Sequence, residues 1–432
     1  MNPSDEEKLH LSRRRFLSCG FMAAAVAGLS AKAAPAVVAA MNKGDEPAQT
    51  NTAEPFWGGH QGGILTPLQQ NTCFATFDLI ATGRDDIIKM LQAWTAAAAR
   101  MAGGRTAEPL GPDVSVPASD SGDTLGLSPA RLTITFGFGA GLFTRDGQDR
   151  YGLAARRPAA LVDLPKFNGD QLMAARTGGD LSVQACADDP QVAFHAVRQL
   201  ARLAYNVAQI RWVQTGFSAN FSAGETPRNL MGFKDGTNNP SINDPGLMDK
   251  FIWVNDEGPD WMQGGSYVVV RRVRIALEHW DRMNLAFQEQ TVGRHKYSGA
   301  PLGGTNEFDK ADYDATDRDG NPIIPENAHV RLAAAVKNDG AQILRRPYSY
   351  NDGANFTAER WPPWRQEMEF DAGLFFVCYQ RDPRTGFIKL FDKMSKFDMM
   401  NQFVTHTGGG LFACPGGVAE GGFIGQRLFE QA

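Results

Sequence analysis

Residues 266–277 read SYVVVRRVRIAL, and residues 278–290, EHWDRMNLAFQEQ, follow them directly. The first stretch is rich in Val and predicts a strand, whereas the second favours a helix. The same order returns near the end of the chain, where residues 374–380 are typical of a buried strand and residues 387–400 of a helix. The second half of the chain is therefore predicted to run strand–helix–strand–helix.

The first half of the chain repeats this order. Apolar spacing predicts strands and helices in the order 73–80, 85–101, 131–138, 190–207 and 210–217. Two such halves predict an α+β protein, a duplicated sandwich in which each antiparallel sheet is covered by helices on one face. The long stretch at residues 297–325 is rich in Gly, Asp and Pro and is predicted to be irregular.

The first forty residues look like an export signal. Residues 12–17, SRRRFL, precede a short apolar run and small-residue cleavage options, which is the twin-arginine pattern. A membrane anchor or an ordinary secretory signal is the competing interpretation, but the apolar run is too short to cross a bilayer. We therefore expect residues 1–40 to be a signal peptide for export to the periplasm and residues 41–56 to be a linker.

Composition excludes several classes of protein. The chain has 432 residues, 43% of them hydrophobic and 21% charged, with a formal net charge of -5. The first 40 residues hold five basic and three acidic side chains, which leaves -7 for the remainder. This charge predicts no nucleic-acid partner and no stable membrane insertion. The five Cys contain no CxxC pair, so they indicate neither a zinc site nor a disulfide framework.

The spacing of acidic and histidine residues bears on possible calcium and zinc sites. The acidic run from Asp309 to Asp319 resembles a calcium loop, but Ala315 would occupy the first ligand position, so a solvated loop is the better interpretation. The seven His include no HxxxH or HExxH pair, which argues against a zinc hydrolase. A single axial His needs no partner in sequence, so a heme site stays compatible with the chain. His60 and His406 are expected to be structural.

Five short motifs occur in a fixed order. They are GHQGGI at 59–64, MGFKDGTNNP at 231–240, GRHKYSGAPL at 293–302, AHVR at 328–331 and ILRR at 343–346. Taken alone, the second would be read as a tight turn. Together they resemble the HQxGI, GxxDG, GRxKxxGxPL, axial-histidine and distal-arginine segments of the dye-decolorizing peroxidases. The resemblance covers the chain from about Phe56 to its end and is closest to the exported deferrochelatase/peroxidase branch.

The resemblance implies two ferredoxin-like domains, at residues 57–225 and 226–432, with one heme b in the second. It implies that His329 is the axial ligand and that Arg294 and Gly236 help to bind the cofactor. Asp235 would move the proton of hydrogen peroxide and Arg345 would stabilise the departing oxygen, besides contacting the cofactor. Because an Asp side chain ordinarily has a pKa of about 3.9, such a base predicts an acidic activity optimum. The second-shell acceptor that would tune the axial histidine cannot be identified from the sequence.

One departure from the family leaves the distal arginine open. Pro347 follows the two arginines where close relatives usually carry Gly. The spacing from His329 to Arg345 is also slightly shorter than in some relatives, so the resemblance does not decide between Arg345 and Arg346.

Three functions compete on the sequence. The first is a heme peroxidase that reduces hydrogen peroxide and oxidises dyes, porphyrinogens or similar small organic donors. The second is a protein that takes iron from heme and leaves the porphyrin intact, with peroxidase turnover incidental. The third is a calcium-binding or purely structural secreted domain. A homodimer and periplasmic iron-uptake components are the expected partners.

Overall fold

The computed structural model describes residues 53–219, 225–358 and 366–430. The predicted signal peptide and most of the predicted linker lie outside these residues. Within them the strands are β1 Asn71–Leu79, β2 Thr133–Phe138, β3 Leu181–Ala187, β4 Ala208–Phe217, β5 Ser266–Ile275, β6 Leu344–Arg345, β7 Tyr348–Ala358, β8 Gln366–Gln380 and β9 Val404–Cys414. The helices are α1 Arg84–Ala102, α2 Ala140–Phe143, α3 Pro190–Leu203, α4 Pro245–Phe251, α5 Leu277–Trp280, α6 Leu285–Val292, α7 His329–Ala333, α8 Phe387–Phe397 and α9 Gln426–Glu430.

The first four strands form one antiparallel sheet in the order β2–β3–β1–β4. Their side chains alternate between two faces, as a two-residue period requires. One face of β1 contributes Phe77 to a core shared with Trp94 of α1 and Leu200 of α3. Helix α3 begins cleanly because Asp189 accepts backbone N–H bonds at its N-terminus and Pro190 occupies its first turn.

The later strands repeat this arrangement. They pair in the order β9–β5–β8–β7, again antiparallel, with the two-residue strand β6 added to β8. In the first half β1 lies between β4 and β3, and in the second half β5 lies between β9 and β8. If the short strand β6 is left out, each half therefore places its first strand between its fourth and its third, which is the strand order of the ferredoxin-like fold. The predicted α+β class with two ferredoxin-like units is therefore confirmed.

The two sheets pack face to face and join at both edges. Phe138 of β2 pairs with Ala413 of β9, and Phe217 of β4 pairs with Ser349 of β7. A second core of large side chains, which includes Phe74, Trp212, Tyr350, Phe375, Tyr379 and Phe412, fills the space between the sheets. The predicted boundary at residues 225/226 adjoins residues outside the described part, and it stays a prediction.

Several elements differ from the sequence-based expectation. The single helix predicted at residues 278–290 is two helices, α5 and α6, because the Asn284 side chain accepts the N–H of Phe287 and caps a new start. Strands β3, β6, β7 and β9 were not predicted. Residues 297–325 contain turns and isolated bridges but no helix or strand, as predicted.

The four cysteines in the described residues are buried free thiols. Among these residues, no helix is both long enough and apolar enough to cross a bilayer.

Candidate active site

A cavity of about 1290 Å³ lies against the second sheet. Strands β5, β8 and β9 form one wall through apolar side chains such as Val273, Leu374 and Phe376. The turn at residues 231–240, helices α7 and α8 and part of the irregular stretch at 297–325 complete the lining. Mostly apolar walls with a few convergent polar groups are typical of a cofactor site.

His329 is the first residue of α7 and lines this cavity. Its Nδ1 donates a hydrogen bond to Oδ2 of Asp398 at 2.6 Å. About a third of the His329 side chain is accessible, whereas only 4% of the Asp398 side chain is. Within the described part of the chain Nε2 has no hydrogen-bond partner, so this nitrogen is free to bind a ligand in the cavity.

The charge of Asp398 controls the electrostatics of His329. Burial disfavours the imidazolium, but the carboxylate beside Nδ1 outweighs it, so the pKa of His329 is raised above its ordinary value. Asp235 and Arg345 also act on this pKa, with opposite signs. The three side chains therefore lie within electrostatic range of one another.

The position of His329 depends on a close approach between α6 and α7. Gly293 ends α6 in the left-handed region, at φ +89°. A Cβ at this residue would lie 2.6 Å from Cγ2 of Val330 and 3.2 Å from Cβ of Ala328, the two neighbours of His329. Only glycine fits here without moving α7.

Asp235 and Arg345 form an ion pair at the cavity. Nη1 of Arg345 donates to Oδ1 of Asp235 at 2.6 Å, and the two side chains are 26% and 14% accessible. Among the described residues, the second oxygen of Asp235 has one partner, Nδ2 of Asn229 at 3.5 Å. That oxygen is therefore weakly engaged and can exchange a proton with a molecule in the cavity.

Asn239 fixes the backbone of Arg345. Its Nδ2 donates to the Arg345 carbonyl O at 2.7 Å, and its Oδ1 accepts the Arg345 N–H at 3.2 Å. The Asn side chain thus pairs with Arg345 as a neighbouring strand would, and it ties the turn at 231–240 to β6. Asn239 belongs to the motif at residues 231–240, but the sequence did not indicate that its side chain binds the Arg345 backbone.

The two adjacent arginines point to different places. Arg345 lines the cavity, whereas Arg346 is buried and reaches the first half of the chain. Arg346 donates from Nη2 to Oε1 of Gln69 at 2.9 Å and from Nη1 to the Thr66 carbonyl. The geometry therefore favours Arg345 over Arg346 as the arginine available to a cavity ligand.

Arg294 also lines the cavity and is nearly inaccessible. Its Nη1 donates to the carbonyl oxygens of Gly299 at 2.6 Å and Glu307 at 2.8 Å. Burial lowers its pKa, and nearby Tyr313 and Glu307 oppose this only in part. Because the two bonds use only Nη1, Nε and Nη2 remain for an anionic group in the cavity, as far as the described residues show.

Gly236 shapes the turn that carries Asp235. Its φ is +135°, a conformation that side-chain-bearing residues rarely adopt. The turn is closed by the Asp235 N–H, which donates to the Pro227 carbonyl at 2.8 Å, and by the Asn239 N–H, which donates to the Gly236 carbonyl at 2.9 Å. Gly236 lines the cavity beside Asp235, so its backbone can approach a ligand closely.

The remaining residues from the sequence analysis divide between the cavity and other parts of the fold. Nδ1 of His60 lies 2.7 Å from the Gly264 carbonyl and its ring stacks on Trp253, which fits the structural role expected for it. Asp317 accepts the N–H groups of Asp319 and Asn321, the pattern of a turn in a solvated loop. Asp309, at the start of the acidic run, lines the cavity, and so does His406, which was expected to be structural.

Asp398 was missed because the sequence gives no signal for it. It lies 69 residues from His329 and just beyond the end of α8, where its other oxygen accepts the Met400 N–H at 2.8 Å. Only the fold brings it to His329.

The donor set fits a heme group. An accessible imidazole nitrogen oriented by a carboxylate is a suitable axial ligand. Buried guanidinium donors suit the carboxylates of a porphyrin. The apolar wall of the second sheet suits its flat face.

Comparisons with known proteins agree with this site. The family model described as "Dyp-type peroxidase, N-terminal" matches residues 61–218, and "Dyp-type peroxidase, C-terminal" matches residues 226–419. The chain is 37% identical to the dye-decolorizing peroxidase of Thermobifida fusca over an alignment of 457 residues that covers 100% of both proteins. It is 36% identical to the deferrochelatase of Escherichia coli K12 over 394 residues, 89% of each protein.

The fold is also similar to that of a solved Dyp-type structure. The X-ray generated oxyferrous complex of DtpA from Streptomyces lividans superposes with a TM-score of 0.78 at 42% identity and covers 88% of this chain and 98% of that one. Full-length similarity at this level, together with the two family matches, establishes the family. The chain belongs to the Dyp-type peroxidase family and is a heme-dependent peroxidase that uses hydrogen peroxide and an organic electron donor.

Proposed function

We propose that His329 is the axial ligand of the heme and that Asp235 and Arg345 activate hydrogen peroxide. The observation that carries this assignment is the meeting of two polar pairs in one cavity. His329 is bonded to Asp398, Arg345 is bonded to Asp235, and both pairs line the same space. When bound, heme would supply the redox chemistry, the two-electron reduction of peroxide coupled to one-electron oxidations of the donor.

Asp235 acts as the proton shuttle. Its weakly engaged oxygen takes a proton from one oxygen of hydrogen peroxide and returns it to the other, which leaves as water. The bond from Arg345 to Oδ1 keeps the carboxylate in one orientation during both transfers. Since Asp takes the role that a histidine would otherwise fill, the activity optimum is expected at acidic pH.

Arg345 stabilises the oxygen that departs. A guanidinium carries several donors, and only Nη1 is used by Asp235. The remaining donors can meet the negative charge that develops on the leaving oxygen. Asn239 keeps the backbone of Arg345 fixed, so the guanidinium does not have to be ordered during the reaction.

Arg294 and Gly236 hold the cofactor. Nε and Nη2 of Arg294, which have no partner among the described residues, would bind a carboxylate of the cofactor, because guanidinium and carboxylate have matching geometry. Gly236, which has no side chain and lines the cavity beside Asp235, would let the backbone approach the cofactor closely.

The enzyme works in the periplasm after twin-arginine export, as a homodimer, and serves iron acquisition. The twin-arginine pattern at residues 12–17 supports the location, and the deferrochelatase name of several relatives supports the link to iron. Those relatives also favour a second candidate function, in which the protein releases iron from heme and leaves the porphyrin intact.

One experiment separates the two functions. Purified protein with bound heme is given peroxide and a phenolic dye, and both dye oxidation and metal-free porphyrin are followed by absorbance and fluorescence. The peroxidase assignment predicts many dye molecules oxidised per heme and no porphyrin. Porphyrin formed in proportion to heme, with dye turnover near background, would contradict it.

Variants test the residue roles in the same assay. Asp235→Ala and Arg345→Ala should slow peroxide consumption by at least about 100-fold, the range expected for losing a general acid–base or charge-stabilising group. Asp314→Ala is a matched control, because its carboxylate lies at the same cavity but is 91% accessible. Activity within about twofold of wild type in Asp235→Ala would refute the shuttle.

A further inference from the structure

His406 carries a feature that the proposed mechanism does not use. It lies near the start of β9, on the cavity wall, and Nε of Arg271 is 3.1 Å from its Nδ1. A guanidinium can only donate hydrogen bonds. Nδ1 must therefore be the unprotonated acceptor, and the ring proton lies on Nε2.

The neutral state of His406 follows from its surroundings. Burial is the main cause that lowers its pKa well below the ordinary value, and the positive charge of Arg271 adds to this. The imidazole is therefore a neutral ring with one fixed tautomer at physiological pH. As long as Nδ1 accepts the hydrogen bond from Arg271, the ring proton stays on Nε2, and Nε2–H is a hydrogen-bond donor.

The bond from Arg271 is held rigidly. Arg271 is buried and bonded to the equally buried carboxylate of Asp170. Its guanidinium also lies 5.6 Å from the ring centroids of Phe167 and Phe391. Phe391 contacts the His406 ring as well, with 4.6 Å between centroids. The ring of His406 is thus fixed by its neighbours. Because Arg271 occupies Nδ1, Nε2 is the ring nitrogen left for the cavity that His406 lines.

Nothing in the described residues satisfies the Nε2–H group. His406 is half-buried, so this N–H group is open to the cavity and can donate a hydrogen bond to a ligand there. The periphery of heme b carries only methyl and vinyl groups, which cannot accept a hydrogen bond, and two carboxylates, which can. A charged acceptor also makes the stronger bond.

We propose that His406 is a binding residue whose Nε2–H donates a hydrogen bond to a carboxylate of the cavity ligand. That carboxylate belongs either to the porphyrin or to an acidic electron donor. The proposal rests on the cavity being the heme site, as proposed above. The uncharged His406 on β9 would then be a second contact to the cofactor besides Arg294, which follows α6. Two contacts from different elements would fix the rotation of the porphyrin in its plane.

Two substitutions separate the proposed bond from packing. In His406→Asn the side-chain oxygen can replace Nδ1 as the acceptor for Arg271, but no donor reaches the Nε2 position. In His406→Gln the longer amide can place an N–H group there, so it should restore part of the loss. Circular dichroism and thermal unfolding establish that both variants fold.

The test measures binding of metal-free porphyrins to the apoprotein by fluorescence quenching. Protoporphyrin IX and its dimethyl ester are compared, because the ester lacks carboxylates and neither ligand contains an iron for His329 to bind. His406→Asn should weaken protoporphyrin IX binding about tenfold, equivalent to about 1.4 kcal/mol, and change dimethyl ester binding less than about twofold. His406→Gln should lie between His406→Asn and wild type.

A second arm covers the acidic donor. If porphyrin binding is unchanged in His406→Asn, the KM for a phenolic acid should rise about tenfold while the KM for its methyl ester and kcat for both stay the same. This result would support the proposal and assign the carboxylate to the donor. Equal losses for acid and ester ligands, or no loss in either arm, would overturn it.

Failure of the proposed function has a different signature. If neither porphyrin binds to the wild-type apoprotein, the cavity is not a tetrapyrrole site and both proposals are contradicted. If both porphyrins bind equally well to wild type and His406→Asn, and the donor arm also shows no change, only the role of His406 fails. ¹⁵N NMR of histidine-labelled apoprotein should show Nε2 protonated and Nδ1 unprotonated, and the opposite tautomer would also overturn the proposal.

Discussion

Replacing Asp398 with Asn tests how the axial histidine is prepared for heme. Both oxygens of Asp398 accept a hydrogen bond, one from Nδ1 of His329 at 2.6 Å and one from the Met400 N–H at 2.8 Å. Asn offers a single acceptor oxygen and an NH₂ group that can only donate. Whichever way the amide turns, one of the two donors loses its partner.

Both orientations of the amide weaken heme binding. If the oxygen faces Met400, the NH₂ group faces Nδ1 and drives the His329 proton onto Nε2, the atom needed for the iron. If the oxygen faces His329, the charge-assisted bond becomes a neutral one and the turn after α8 loses its cap. Loss of such an outer partner typically reduces metal affinity 10–100-fold, which corresponds to about 1.4–2.7 kcal/mol.

The assay is titration of the apoprotein with hemin, followed at the Soret band. Asp398→Asn should raise the dissociation constant about 10–100-fold. Asp123→Asn is a matched control, because Asp123 accepts from Nδ1 of His195 at 2.8 Å in a cluster that does not line the cavity. A dissociation constant within twofold of wild type in Asp398→Asn, or an equal loss in Asp123→Asn, would refute the reasoning.

Three further outcomes follow from the geometry. Asn239→Ala should lower kcat/KM for peroxide about 10–100-fold in the wild-type background, because Asn239 acts through the Arg345 backbone. In an Arg345→Ala background the same substitution should lower it less than twofold. Additive losses in this double-mutant cycle would contradict the role of Asn239. Gly236→Ala should lower the free energy of unfolding by about 1–3 kcal/mol, since a side chain is strained at φ +135°, and urea unfolding measures it; an unchanged midpoint would be inconsistent. Burial raises the pKa of Asp120, but hydrogen bonds from His195 and from backbone N–H groups outweigh it and lower the pKa from 3.8 to about 2. The ionised carboxylate therefore contributes up to about 2 kcal/mol to the free energy of unfolding above pH 4, and this contribution is lost as the pH falls toward 2. Burial lowers the pKa of His195, but the carboxylates of Asp120 and Asp123 outweigh it and raise this pKa. The stabilisation from protonated His195 is therefore complete below about pH 6.5 and is lost as the pH rises through the raised pKa. Equal pH profiles of urea unfolding for wild type and Asp120→Asn would contradict both pKa shifts.

The fold was largely predictable because its strands and helices carry clear apolar spacing. Residues 266–275 form the predicted strand, and α1 and α8 begin within one residue of their predicted starts. Strand β9 was missed because its sequence, VTHTGGGLFAC, holds three consecutive glycines, which normally indicate a turn. In the fold these glycines are required by close contacts: a Cβ at Gly409 would lie 2.2 Å from the Val270 carbonyl oxygen.

The site was predictable where a short motif carries the residue and not where tertiary contact does. His329, Asp235, Arg345 and Arg294 came from motifs, and the fold brings all four to one cavity. Their roles stay predictions until the variants are measured. The choice between adjacent arginines, and the partners Asp398 and Asn239, needed the fold, because each depends on a contact between segments far apart in sequence.

The central claim is that a heme in this cavity is bound through His329. The most direct measurement is the absorption spectrum of the purified protein reconstituted with one equivalent of hemin, compared between wild type, His329→Ala and the remote control His195→Ala. If His329 binds the heme, wild type and His195→Ala should show Soret bands of similar intensity, and the band should be lost or strongly weakened in His329→Ala. An unchanged Soret band in His329→Ala would contradict it.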